Sequence, residues 1–150
     1  MTSPGTSARN AAMNLLARRE HSRLELKRKL ARRFDPADVD DAIARLAEEN
    51  LQSDARFAMS YTRERMLRGY GPLRIEHDLR QRGVHSQHIE AALNTVPREE
   101  GLCWLDVASA VQTRRFGAGP PATREEKAKR VRYLHYRGFT EMPGGLSSSD

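Results

Sequence analysis

The sequence predicts an all-α fold: tandem three-helix, helix-turn-helix-like repeats forming an elongated, curved molecule. Three observations lead there. Apolar residues recur at helical spacing, and the alternation expected of strands is missing. One pattern returns after about fifty residues. The sign of the charge swings with the same period: residues 1–34 carry nine basic and two acidic side chains, and residues 35–54 carry one and seven.

The repeat can be read residue by residue. "SRLELKRKLARRF" (Ser22 to Phe34) aligns with "GPLRIEHDLRQRG" (Gly71 to Gly83), pairing Leu24 with Leu73, Leu26 with Ile75, Leu30 with Leu79 and Arg33 with Arg82. "VDDAIARL" (Val39 to Leu46) then aligns with "IEAALNTV" (Ile89 to Val96). A third copy matches Leu134 through Phe139 to Leu79 through Val84. The boundaries predicted from these matches are 8–52, 53–97 and 98–142, the last repeat lacking its final helix, with a disordered tail at 143–150.

Local chemistry places the helices. Asp35 and Pro36 are a strong start signal for the third helix of repeat one. In repeat two, Ser53 or Asp54 caps a first helix whose apolar side includes Phe57, Tyr61 and part of Met66 and Leu67. Gly69 and Gly71 make the corner, and Pro72 opens the second helix, which carries Leu73, Ile75 and Leu79. Gly83 reads as a left-handed stop, with Val84 folding back on Leu79; Gly138, Phe139 and Leu134 repeat that signature. The third helix starts at Ser86 and is expected to end before Pro97. "GAGPP" (Gly117 to Pro121) is a corner in repeat three, and Pro143, Gly144 and Gly145 oppose any helix after it.

Composition narrows the function. A net charge of +6, carried mostly by arginine, suits an acidic partner. The single cysteine, Cys103, excludes an intramolecular disulfide and fits a reducing, cytoplasmic setting; beside Trp104 it reads as a small buried side chain. No apolar run is long enough to span a membrane, and the first twenty residues lack a signal-peptide core. His85 and His88 have no further ligands near them, so no metal site is expected. Gly69 and Gly71 lack the rest of a nucleotide loop, and no nucleophile arrangement stands out, so neither cofactor nor enzymatic activity is expected.

The middle of the chain, "SDARFAMSYTRERMLRGYGPLRIEHDLRQRG", resembles the pattern DDxxFAxxYxRxRxxxGxGPxRIxxxLxxRG of the RecX regulatory proteins. "LARREHSRLELKRKL" in repeat one and "YRGF" in repeat three look similar to their counterparts, so the likeness covers roughly residues 11 to 140. It implies a regulator of the RecA recombinase that binds RecA–DNA filaments, restrains strand exchange and filament ATP hydrolysis, and so modulates DNA repair and recombination. The resemblance also implies contact with DNA, which many members of the family make. The family pattern continues after Thr140 into another amphipathic helix, where this chain has "EMPGGLSSSD".

The charges suggest where such partners would bind. Arg63, Arg65, Arg68, Arg74, Arg80 and Arg82 form a basic track in repeat two, and Lys127, Lys129, Arg130, Arg132, Tyr136 and Arg137 continue it in repeat three. Basic groups beside an aromatic ring can hold phosphates and stack on bases. Tyr61, on the same helix face as Arg65 and Arg68, reads first as a core residue. The acidic face of Asp38, Asp40, Asp41, Glu48 and Glu49 is the candidate contact for basic patches on the recombinase. A solvated helix surface is the plain alternative for either set. The partners expected are a RecA filament and, more weakly and without sequence preference, single- or double-stranded DNA, bound by a monomer. The rival functions are a helix-turn-helix transcription regulator and an adaptor without DNA contact. The third helices oppose the transcription regulator, because one is acidic and "SQHIEAALNTV" has no lysine or arginine to meet phosphates.

Overall fold

Side-chain caps and left-handed stops set most of the helix boundaries. The computed structural model describes residues 4–147, which form eight helices and no strand. These are α1 (Pro4–Arg18), α2 (Arg23–Leu30), α3 (Pro36–Glu48), α4 (Asp54–Leu67), α5 (Pro72–Gln81), α6 (Ser86–Glu99), α7 (Trp104–Phe116) and α8 (Arg124–Tyr136).

Ser22 opens α2 with a capping box: its Oγ accepts the Glu25 amide at 3.1 Å, and Glu25 Oε1 accepts the Ser22 amide at 3.2 Å. Ser53, rather than Asp54, caps α4, taking the Arg56 amide at 3.1 Å. The Asp54 carboxylate is occupied by the Arg23 amide and Gln52 Nε2. At α3 the expected strong cap is incomplete. Asp35 holds the N-cap position, yet its side chain makes no capping hydrogen bond, leaving Pro36 at the first turn to start the helix.

The glycine stops form as predicted. Gly83 has φ +78°; its amide donates to the Arg80 carbonyl at 3.0 Å, and the Val84 amide donates to Leu79 at 3.1 Å. Those two bonds, with Val84 and Leu79 buried together at the helix end, define the Schellman motif. Gly138 (φ +101°), Phe139 and Leu134 repeat it at α8.

α6 departs from expectation and runs through Pro97 to Glu99. A proline at that position has no amide to give the Leu93 carbonyl one turn earlier. The Trp104 indole supplies the missing donor, Nε1 lying 3.2 Å from the Leu93 oxygen. The helix therefore continues without stranding that carbonyl.

The described residues divide into two compact units, one running to Ser60 and including Leu79–Ile89, the other comprising Tyr61–Asp78 and the chain from Glu90. The division passes through the middle repeat. The core of the first unit joins Ala12 of α1, Leu26 and Leu30 of α2, and Val39, Ile43 and Leu46 of α3. Burying each of the larger side chains contributes about 1.5–3 kcal/mol. In the second, Ile75, Ala92, Val96, Val107, Val111, Leu134 and Phe139 are buried.

Each unit contains the same kind of joint. In the first, Ser22 Oγ donates to the Arg82 carbonyl at 2.8 Å, and Leu24 packs against Gly83. In the second, Gly71, the counterpart of Ser22, donates its amide to the Arg137 carbonyl at 2.8 Å, and the Leu73 amide donates to Gly138 at 3.0 Å. The start of one repeat's second helix thus abuts the end of the next repeat's second helix. Amides and carbonyls left over at helix ends satisfy one another, with the two helix dipoles aligned favourably.

Several apolar expectations are corrected. Leu67 and Leu73 are exposed, because their helices turn other faces inward. Cys103 is exposed as well; it precedes α7, and its amide donates to the Asp106 carboxylate at 3.0 Å. In repeat three no helix follows Phe139 among the described residues. The disorder expected from Pro143 onward does not reach Leu146, which folds back through a turn onto Pro143 and is buried at 2 % exposure. An apolar side chain with a surface to cover outweighs the glycines before it. Ser148–Asp150 lie outside the described residues.

Candidate nucleic-acid interface

Part of the basic track collects around one ring that the repeat alignment did not single out, Tyr70. Arg65, on the last turns of α4, has its guanidinium carbon 5.6 Å from the Tyr70 centroid and 5.2 Å from that of Tyr61. Arg74, on the first turn of α5, lies 5.4 Å from Tyr70 and 5.9 Å from Tyr136. Arg137, just past α8, stacks on Tyr70 at 4.0 Å. Three cations thus share one ring, each within the range of a cation–π contact. All belong to the second unit, and the glycine joint brings them together.

The joint is tight enough to fix this geometry. A Cβ on Gly71 would lie 2.4 Å from the Gly138 carbonyl carbon, and one on Gly138 would lie 2.5 Å from Arg74 Cβ. Only glycines let α8 end so close to the base of Arg74. Tyr61 is a core residue, as expected; it is buried, and its hydroxyl donates to Asp78 at 3.0 Å. Asp78 lies 3.9 Å from Arg74. Tyr136, by contrast, is 73 % exposed.

The remaining basic residues separate by role. Lys129 and Arg132 are exposed and share the α8 face with Tyr136. Lys127 is half-buried along a groove with Val131, Arg132 and the exposed Ala128. Arg130 is a correction. It is 3 % exposed, with Nη1 donating to Gln112 and to the Gly119 carbonyl and Nη2 pairing with Glu126 at 2.6 Å. It pins the α7–α8 corner and is closed to a large ligand. Arg137 is also committed, donating from Nε to Gly69 and from Nη2 to Arg68, the carbonyls that end α4. Arg63 pairs with Glu99 and Glu100 at 2.7 and 2.9 Å, Arg68 with Glu64, and Arg82 with Glu25. Arg80 is exposed.

The acidic face is partly neutralised at its own surface. Asp40 lies 3.5 Å from Lys27, Asp41 3.3 Å from Arg45, and Glu49 2.6 Å from Arg9. The Arg9 hydrogen bond holds the Glu49 carboxyl below its usual pKa. Asp38 is half-buried and Glu48 exposed. Among the described residues no cluster of histidine, cysteine and carboxylate groups could hold a metal, and no helix is long and apolar enough to cross a membrane.

Fold and site together define a tandem three-helix-repeat protein with a basic, aromatic joint. Family models match twice: the first three-helix domain of RecX over residues 8–46 and the second over residues 53–93. The chain is 47 % identical over 135 residues to the regulatory protein RecX of Halorhodospira halophila, covering 89 % of this chain and 81 % of that one. It is 42 % identical to the regulatory protein RecX of Pseudomonas savastanoi pv. phaseolicola, covering 95 % and 90 %. The crystal structure of RecX from Lactobacillus salivarius superposes with a TM-score of 0.73 over 91 % of this chain and 89 % of that one, at 22 % identity, which supports the fold. The chain belongs to the RecX family.

Proposed function

We propose that this chain is a non-enzymatic regulator that binds RecA filaments on DNA and damps strand exchange and filament ATP hydrolysis. Family membership carries the class, and the convergence of Arg65, Arg74 and Arg137 on Tyr70 beside an exposed Tyr136 carries the nucleic-acid half. The mechanism is bridging. The positive joint and the α8 face of Lys129 and Arg132 meet the phosphates of the filament's DNA. The acidic α3 face, led by Glu48 and the exposed Asp40 and Asp41, meets basic patches on the recombinase.

The test compares binding of the full chain to bare single-stranded DNA, free RecA and the assembled filament. A clear preference for filament is expected. Tight binding to one duplex sequence, with no filament preference, would instead establish a sequence-specific DNA-binding regulator.

A further inference from the structure

The two joints share backbone geometry and differ in charge. Glu25 and Arg74 occupy equivalent repeat positions, as do Arg82 and Arg137 and also Gln81 and Tyr136. In the first joint Glu25 pairs with Arg19 at 3.0 Å and Arg82 at 3.5 Å, so the carboxylate faces two arginines. Burial pushes the Glu25 carboxyl up, but the hydrogen bonds from Arg19 and the Ser22 amide outweigh it and hold the pKa low. In the second joint an arginine stands where that carboxylate would be. Arg74 and Arg137 crowd one ring, and Arg65 Nε is buried there without a hydrogen-bond partner.

The first joint closes with the same helix-end hydrogen bonds while one carboxylate faces two arginines; the second gathers Arg65, Arg74 and Arg137 with a single carboxylate, Asp78, 3.9 Å from Arg74, and so carries the larger excess of positive charge. The excess cation of the second therefore points to a ligand that is itself anionic. The aromatic ring specifies it further. Tyr136 replaces a glutamine, is largely exposed, and has Arg74 near its ring at 5.9 Å from the centroid. A flat exposed ring beside guanidinium groups offers a base a stacking surface and its phosphate a partner. In a paired duplex the base faces are already stacked, so a double strand presents phosphates but no free face.

We infer that the second joint is a subsite for single-stranded nucleic acid, with one unpaired base stacked on Tyr136 and the adjoining phosphate held by Arg74. This rests on the proposed DNA contact and narrows it to the single strand.

The experiment measures anisotropy of a labelled oligothymidylate, and of a duplex of the same length, with the full chain and its Tyr136→Ala, Tyr136→Phe and Arg74→Gln variants. Tyr136→Ala should weaken single-strand binding by about tenfold, since stacking on one aromatic ring contributes on the order of 1–3 kcal/mol per base. Duplex binding should stay unchanged, and Tyr136→Phe should bind the single strand like the parent. Arg74→Gln should flatten the salt dependence by about 0.7 in the slope of log K against log salt. Circular dichroism checks that each variant is folded; Tyr136, being exposed, is a mild site to truncate. Parent-like single-strand binding by Tyr136→Ala, or an equal loss on duplex, overturns the inference. Assaying the same variants for inhibition of RecA filament ATP turnover separates the two ideas. Lost single-strand binding with full inhibition keeps the subsite and refutes its part in filament regulation.

Discussion

Gly71 and Gly138 let the backbones of the second joint approach closely, and the need for that approach can be measured. A methyl on Gly71 would meet backbone atoms of Gly138 and Phe139 at 2.4–2.5 Å, which no side-chain rotation relieves. Gly101, with φ +70° but open space around its Cβ position, isolates the cost of backbone strain alone. Gly101→Ala should therefore cost about 1 kcal/mol, and Gly71→Ala about 2–3 kcal/mol. Denaturant midpoints of the two variants decide this; equal losses would mean the joint is looser than drawn. His21 supplies a second test at the same scale. It is 1 % exposed, with Nδ1 3.1 Å from the Arg19 carbonyl and Nε2 3.0 Å from Lys29 Nζ. The neutral ring satisfies both neighbours, donating from Nδ1 and accepting at Nε2 from the ammonium. Burial pushes its pKa down, as do the Arg19 and Lys29 charges, against the opposing backbone hydrogen bond. Because the folded value is depressed, the unfolded chain takes up a proton first as pH falls below about 6.5. Stability from this group is complete above that pH and is lost progressively below it. His21→Gln should lower the melting temperature at pH 8 yet show a smaller further drop between pH 7 and about 5.5. A drop equal to the parent's would remove His21 from the pH response.

Helix α6 shows how an element boundary can depend on a residue far along the chain. Pro97 removes the donor for Leu93, and Trp104, eleven residues away from that carbonyl, restores one. Trp104→Phe should cost about 1 kcal/mol beyond its loss of packing, the usual penalty for stranding a carbonyl. In a Pro97→Ala background the new backbone amide can serve Leu93, so the same tryptophan change should cost less. A double-mutant cycle with no coupling would show that the indole bond does not hold the helix through the proline. The asymmetry between repeat stops has a similar origin. Repeats two and three end their second helices on Gly83 and Gly138, whereas repeat one places Phe34 at the aligned position and lets it pack against the α1–α3 core.

Across the molecule some charged side chains are buried in fixed pairs, as Arg130 is with Glu126, while others face solvent, alone or in exposed pairs, and this second kind is available to a partner. Lys129 and Arg132 are exposed on α8, so changing both to Glu should move the melting temperature little, within about 0.5 kcal/mol of stability. The double variant should bind filament or DNA more weakly and with a shallower salt dependence, because fewer counterions are released. Asp40→Lys with Asp41→Lys breaks only exposed pairs to Lys27 and Arg45, worth about 0–1 kcal/mol each. It should weaken association with the recombinase and spare binding to bare DNA. If both double variants inhibit strand exchange like the parent, the blocks are solvated surface and bridging is wrong.

The sequence by itself determined the all-α class, most helix boundaries and the family. Those signals are local: a 3.6-residue period, a capping serine, a glycine that alone accepts positive φ at low cost. It also marked the arginines as a set, without telling which were free to act. That was decided by tertiary structure. Arg137 reaches the Gly69 carbonyl across sixty-eight positions of sequence, and Arg130 reaches Gln112 across eighteen. Tyr70, silent in the repeat alignment, becomes the centre of the candidate site because a glycine joint draws the end of α8 against the start of α5. A side chain's charge is written in the chain, but its exposure and its partner depend on neighbours that only packing supplies.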